Sequence, residues 1–233
     1  MTDTAGIRVL ECHVGEWAES NGVIMLVLGA VAPGEQGVQV TGCTVERAEA
    51  AVEEQALLHA TRWDDPTLHD IDWLGRRTST EDVAGVAALW SVFHGPFLET
   101  YAKHLSTEQV DLSHAFGSRI VDWMGDRHGP LAITHGDYRL DNMIFHKTET
   151  RAIAVLDSEL STLGDPIADF SYLMLNGHSP HDGRAGLEGL DLEALGIPTK
   201  DEAVERYVAR TGYPVQPMDW YFAYNLFRLA GIM

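Results

Sequence analysis

Lysine is scarce in this chain: Lys103, Lys147 and Lys200 are the whole complement, and the first hundred residues contain none. Sixteen lysines and arginines face 35 acidic residues, for a formal net charge of −19. A nucleic-acid partner needs a basic face, so that class is excluded. An anionic ligand held in a local basic pocket or through a cation remains open. Cysteine is scarcer still. Cys12 and Cys43 form no CxxC pair, which excludes a disulfide framework or a cysteine zinc site and fits reduced thiols in a cytoplasm. Both read as small buried apolar residues. The histidines show no HxxxH or HExxH spacing, against a dedicated zinc site. Long apolar runs are also missing. None approaches the ~20 residues of a membrane span, and no basic-then-apolar leader opens the chain. The expectation is a cytoplasmic protein with neither a nucleic-acid nor a membrane partner.

What is present is an ordinary globular balance, 45% hydrophobic and 22% charged over 233 residues. That is enough for one large lobe with a small one attached. IRVLECHV and VIMLVLGAV read as strands on either side of the turn signal ESNG at 19–22. APGEQGVQVTG reads as a loop, and Thr44 as the N-cap of a helix through VERAEAAVEEQALLHA. Thr80 caps a second helix in which Pro96 predicts a kink or break. LSHAFGSRIVDWMGDRH is a third. After residue 130 come short strands at LAIT, MIF and AIAVL, then a helix with Pro166 as its first residue. Two more helices cover TKDEAVERYVARTGY and MDWYFAYNLFRLAGIM. The last stops in an apolar register without a capping glycine, so the chain reads as cut. The fold class is α+β: a small strand-containing piece, then a mostly helical lobe with a β-hairpin in its middle.

The loop HGDYRLDN at 135–142 gathers polar residues next to that hairpin. If MIF and AIAVL pair antiparallel about residues 149 and 150, facing positions have numbers summing to about 299. Asn142 and Asp157 meet that condition at the open end of the hairpin, and Asp137 lies five residues before Asn142. Two carboxylates and an amide oxygen around one point suit Mg²⁺, which draws the rest of its shell from water and substrate phosphates. An aspartate for the acceptor hydroxyl, an asparagine five residues on and a post-hairpin aspartate are the parts of a phosphoryl-transfer centre.

HGDYRLDNMIF followed by VLDSELSTLGDPIADFSYL resembles the aminoglycoside phosphotransferase/choline kinase superfamily, with a protein-kinase-like fold. It is most similar to the branch found fused to acyl-CoA dehydrogenases. The resemblance extends through GCTVE, LHATRW and DWYFAYNLFRLA. It implies ATP (GTP also) and Mg²⁺ as cofactors and a hydroxyl of a small molecule as acceptor. Asp137 is then the catalytic base, and Asn142 and Asp157 are metal ligands. Residues 1–32 become part of a small nucleotide-binding lobe and hinge, with adenine on the backbone near Leu28 and Ala30, and residues 33–233 the large lobe. Members of this family also carry a glycine-containing strand pair and a phosphate-contacting lysine ahead of the hinge, which this chain lacks, so it reads as truncated at both ends. Gly29 and Ala30 stand where acidic residues are usual, and Ser158 where an aromatic is.

Other residues read as supports. His135 holds the loop through backbone hydrogen bonds, Asp165 caps the helix at Pro166, and Asp169 braces the loop. Arg139 is open between phosphate contact and a salt bridge. His59 and Trp63 read as core. Three alternatives stand beside an alcohol kinase acting on a hydroxyacyl-CoA-like acceptor: a non-catalytic binding module, an aminoglycoside kinase favoured by the acidic charge, and a metal-dependent hydrolase.

Overall fold

The computed structural model describes residues 7–75, 80–125, 129–179, 186–215 and 217–232. At its start the ESNG signal closes a hairpin of β1 (Cys12–Ala18) and β2 (Val23–Leu28). Asn21 Oδ1 accepts from Val23 N at 3.1 Å, and Gly22 takes the left-handed φ of 69° that the turn needs. The apolar run VIMLVL suits a strand covered on both faces, yet all six residues are exposed. The first strand begins five residues later than IRVLECHV predicts. Ile7 is drawn instead into the core around Tyr138, Met143 and Phe145, while Arg8 O accepts from Val155 N and the Arg8 guanidinium donates to Ala152 O, each at 2.8 Å. Cys12 is correspondingly exposed rather than buried, and Cys43 is half-buried.

GEQ, read as loop, is a three-residue strand, β3 (Gly34–Gln36), too short to show a period. It pairs antiparallel with β5 (Met143–His146), which pairs with β6 (Ala152–Val155). The chain ahead of the first helix is thus tied to the central hairpin twice, at Arg8 and at Gly34–Gln36. A second small sheet joins β4 (Ala132–Thr134) to β7 (Thr162–Gly164). These two strands lie on either side of the polar loop and the hairpin and clamp both.

Among the described residues, six α-helices accompany the sheets. In α1 (Val45–Thr61), the Thr44 side chain accepts from Arg47 N, and Val52, Ala56 and His59 recur at helical spacing on the buried face. Helix α2 (Thr80–Tyr101) runs unbroken through Pro96. Proline removes the bond to the carbonyl four residues back, that of Val92, a residue 63% exposed. α3 (Thr107–Gly125) packs on α2. α4 (Pro166–Leu173) begins at the Asp165 cap, with Asp165 Oδ1 accepting from Ile167 N at 2.7 Å. α5 (Lys200–Thr211) opens with a Thr199/Glu202 capping box and ends at Gly212, φ 72°. α6 (Asp219–Ile232) packs on α4, and α5 on α1. Phe170 of α4 and Tyr207 of α5 stack at 4.1 Å, both fully buried, and each such ring contributes about 1.5–3 kcal/mol of burial. No helix among the described residues is long and apolar enough to cross a membrane.

Two glycines test this packing with opposite signs. A Cβ on Gly37 would lie 2.3 Å from Leu140 O, where the post-β3 segment crosses the polar loop. Gly37→Ala is expected to lose about 1–3 kcal/mol through forced backbone movement. Gly85, inside α2 with nothing within 4 Å of its Cβ position, is expected to gain about 0.5–1 kcal/mol as alanine. Thermal and denaturant unfolding of both variants measure this. A Gly37→Ala protein as stable as the parent would contradict the close crossing.

Candidate active site

The hairpin carries the site, in a register one step from the expected one. Met143 faces Val155 and Ile144 faces Ala154, but Phe145 faces Ala152, so Ile153 is bulged. Carried to the open end, the pairing sets Leu156 opposite Asn142, and Leu156 N donates to Asn142 O at 2.8 Å. Asp157 is therefore the residue after the facing pair. A one-residue offset in a regular strand would turn its side chain to the other face. Asp157 is not regular strand: it takes φ 60° and ψ 52°, the left-handed region that aspartate tolerates better than most residues.

Asn142 is buried, in a 3₁₀ turn over Leu140–Asn142. Its Nδ2 donates to Asp137 O at 2.9 Å and Asp137 Oδ2 at 3.2 Å. That uses the amide nitrogen and leaves Oδ1 without a donor among the described residues. The Asp157 carboxylate is exposed and likewise makes no bond to a described residue. A free amide oxygen and a free carboxylate on adjoining strand ends fit Mg²⁺, which takes one or two protein oxygens and fills its shell with water and phosphate. No group of three or more His, Cys, Asp or Glu side chains able to hold a metal occurs among the described residues, so tighter, softer coordination has no protein ligand set there.

The loop is pinned from behind by Asp169. Its Oδ1 accepts from Gly136 N at 2.7 Å, and its Oδ2 from His135 N at 3.0 Å, Gln55 Nε2 at 3.2 Å and His59 Nε2 at 3.2 Å. His59 Nδ1 is 2.7 Å from the Tyr207 hydroxyl. Burial pushes the Asp169 carboxyl up, but the His59 hydrogen bond and charge and the two backbone N–H groups outweigh it and hold its pKa at about 2. His135 Nε2 donates to Leu156 O at 2.8 Å while its Nδ1 accepts from Asp137 N at 3.3 Å, so the ring ties the loop to the hairpin end with its proton on Nε2. Gly136 takes φ 85°, and a Cβ there would meet Leu160 O at 2.5 Å.

Arg139 places Nε 3.3 Å from Asp137 Oδ2, an ion pair in this structure. Leu28 ends β2, and Ala30 is exposed with its backbone N–H and C=O paired to no described residue. Neither is hydrogen-bonded to a described residue of the loop. Asp165 accepts from Tyr221 Oη at 2.9 Å as well as capping α4. Residues the sequence reading missed complete the frame. Gln39 N donates to Asp141 Oδ1 at 2.8 Å, Gln39 Oε1 accepts from Leu140 N at 2.9 Å, and Gln36 Nε2 donates to Asp141 O at 2.7 Å. Tyr172 Oη donates to Asp137 Oδ1, and Arg228 to Gly136 O, each at 2.8 Å. Asp141 lies inside the motif, whereas Tyr172 and Arg228 reach the loop from 35 and 92 positions away and leave no local pattern.

A cavity of about 260 Å³ opens beside the loop, lined by Trp123, Gly136, Leu160, Tyr224 and Arg228 among others. A larger groove of about 850 Å³ lies between α1 and α5, away from this chemistry. Its Glu49 and Glu53 are paired with Arg206, and its Glu202 belongs to the α5 cap.

Because the folded pKa of Asp169 lies below its unfolded value of about 3.9, its contribution is complete above that value. It is lost as pH falls from about 4 to about 2, of the order of 2 kcal/mol. Asp169→Asn is expected to cost about 3–5 kcal/mol by leaving backbone N–H groups and His59 facing an amide. It is also expected to flatten the acid limb of the stability profile. Denaturant titrations between pH 2 and 6 measure both, and an unchanged acid limb would remove Asp169 as the anchor.

The sequence profile of the phosphotransferase enzyme family (APH) matches residues 30–204. Mouse acyl-CoA dehydrogenase family member 10 is 39% identical over 142 residues, which cover 58% of this chain and 13% of the relative. Human acyl-CoA dehydrogenase family member 11 is 39% identical over 102 residues, 43% of this chain and 13% of that protein. The chain thus spans about an eighth of the length of these curated relatives. A candidate aminoglycoside phosphotransferase from Ralstonia eutropha superposes with a TM-score of 0.74 at 26% identity, covering 99% of this chain and 69% of that one. The GDP and kanamycin complex of an APH(2″) enzyme gives 0.61 at 12% identity, covering 99% and 71%, and at that identity shows the fold alone. The chain belongs to the phosphotransferase enzyme family and has the kinase-like aminoglycoside phosphotransferase fold.

Proposed function

We propose that this phosphotransferase moves the γ-phosphoryl group of ATP, with GTP as the second candidate, to a hydroxyl of a small molecule. The observation that carries the reading is the Asn142 amide, whose nitrogen is spent on Asp137 while its oxygen stays free at the hairpin end beside Asp157. In this reading Asp137 accepts the proton of the acceptor hydroxyl as its oxygen bonds to the γ-phosphorus. The bond to the bridging oxygen breaks and the nucleoside diphosphate leaves. Asn142 and Asp157 would hold Mg²⁺, which when bound neutralises charge on the phosphates. Arg139 would turn from Asp137 to the phosphates, and the free backbone at Ala30, next to Leu28, would take the adenine edge. Residues 1–32 would then act with the nucleotide and 33–233 with the metal and acceptor. Related folds solved with GDP and with ATP support a nucleotide as donor.

For the acceptor, the acyl-CoA dehydrogenase names of the curated relatives favour a hydroxyacyl-CoA-like alcohol. The net charge of −19 favours a cationic acceptor such as an aminoglycoside, ranked second. A binding module without turnover stands beside these readings.

One set of assays separates these readings. Wild type with Mg·ATP is expected to consume nucleotide, and more so with a 3-hydroxyacyl-CoA than with kanamycin. Asp137→Asn is expected to lower turnover by about 10²–10⁴-fold, and Asp157→Asn or chelation of the metal to abolish it, with circular dichroism unchanged. Full turnover in Asp157→Asn would remove the metal assignment. Phosphate release from a phosphoester without nucleotide would make the protein a hydrolase. No nucleotide consumption under any condition would leave the binding module.

A further inference from the structure

Asp137 is held by three side chains, and the closest contact comes from outside its own loop. On Oδ2 it has Asn142 Nδ2 at 3.2 Å and Arg139 Nε at 3.3 Å, the latter from a side chain 45% exposed. On Oδ1 it has the Tyr172 hydroxyl at 2.8 Å. An ionised carboxylate offers about four lone-pair sites, two on each oxygen. Oδ2 takes the Asn142 hydrogen bond and the Arg139 ion pair, and Tyr172 fills half of Oδ1, which leaves one lone pair of Oδ1 for an incoming hydroxyl. Burial, followed by the hydrogen bond and the charge of Asp137, raises the Tyr172 phenol to about 12, so it stays a donor at neutral pH.

Tyr172 is itself fixed from α6. The Arg228 guanidinium lies 5.3 Å from the centre of the Tyr172 ring, and it donates to Gly136 O at 2.8 Å and to Asn225 Oδ1 at 3.3 Å. Asn225 is buried and donates to Ala168 O at 2.9 Å and Ser171 Oγ at 2.8 Å, which sets the rotation of α6 against α4. One guanidinium therefore grips the backbone before Asp137 and the ring that grips its carboxylate.

We propose that Tyr172, clamped by Arg228, is a positioning residue that sets the rotamer of the Asp137 carboxylate for the acceptor hydroxyl. This rests on Asp137 being the base. Transfer needs donor and acceptor aligned within hydrogen-bond reach, and a displacement of 1 Å costs about 10²-fold in rate. A phenylalanine at 172 would keep the packing and remove only the donor.

The test follows Mg·ATP consumption with water as the phosphoryl acceptor. Tyr172→Phe is expected to lower kcat about tenfold or more, with KM for ATP within about twofold. Arg228→Met should act in the same direction. Arg228→Lys, which keeps a cation over the ring and a donor for Gly136 O, should recover part of the loss. The Tyr172→Phe/Arg228→Met double variant should lose less than the product of the two single losses, because Arg228 acts in part through the Tyr172 ring. An active wild type whose Tyr172→Phe form keeps full kcat, or shows a change in KM alone, overturns the positioning role and leaves the function standing. Losses that multiply in the double variant overturn the clamp. A wild type that consumes no ATP, either with water alone or with a 3-hydroxyacyl-CoA or kanamycin added, overturns the assignment of Asp137 and this role with it.

Discussion

The Asp169 carboxylate is the constraint on which the rest of the structure hangs. It is buried, it is charged, and it is acceptable there only because four donors converge on it from α1 and from the loop after β4. Two of those donors are the consecutive backbone N–H groups of His135 and Gly136. A peptide segment with two consecutive N–H groups bound to one carboxylate has little freedom left, so the position of α4 dictates where Asp137 begins. The donors from α1 make the relation mutual: the helix capped by Thr44 and the helix capped by Asp165 meet through His59, Gln55 and Asp169. Tyr207 of α5 extends the contact to a third helix through the second nitrogen of His59.

From that anchor the site is built outward by short links. His135 connects the loop to the strand end at Leu156, and Leu156 connects back to Asn142. The post-β3 segment binds the far side through Gln36, Gln39 and Gly37, where only a glycine permits the crossing. The loop is thus held by β-hairpin, helix and crossing strand at once. What remains unspent after this bracing is an amide oxygen on Asn142, the Asp157 carboxylate and one lone pair on Asp137 Oδ1. Such preorganisation is what phosphoryl transfer asks of a protein, since the reaction needs placement and charge stabilisation more than covalent help.

Much of the fold is legible in the sequence because its signals are local. Thr44, Asp165 and the Thr199/Glu202 pair stand where helices start, and Gly22 and Gly212 stand where left-handed turns occur. Two of the misreadings, at IRVL and at GEQ, share one cause: long-range competition. IRVL has every property of a hairpin strand, but its isoleucine buries more surface in the core beside Phe145 than an exposed hairpin offers. Pro96 predicts a break, yet α2 runs through it on an exposed stretch of the helix. GEQ has no strand signal of its own and becomes a strand because β5 presents an edge to it.

The sequence by itself determined which carboxylates and which amide stand near the hairpin, and in what order, because spacing along a chain of known rise is a local quantity. It also placed Asp137, Asn142 and Asp157 within a residue of their relation. Only the tertiary structure decided the register, through a bulge at Ile153 and a left-handed Asp157, since a single inserted residue is invisible to alternation counting. Only the tertiary structure joined Tyr172 and Arg228 to Asp137. Their contacts depend on how α4 and α6 rotate against the loop, and that rotation is set by packing across the whole lobe rather than by any neighbour in sequence.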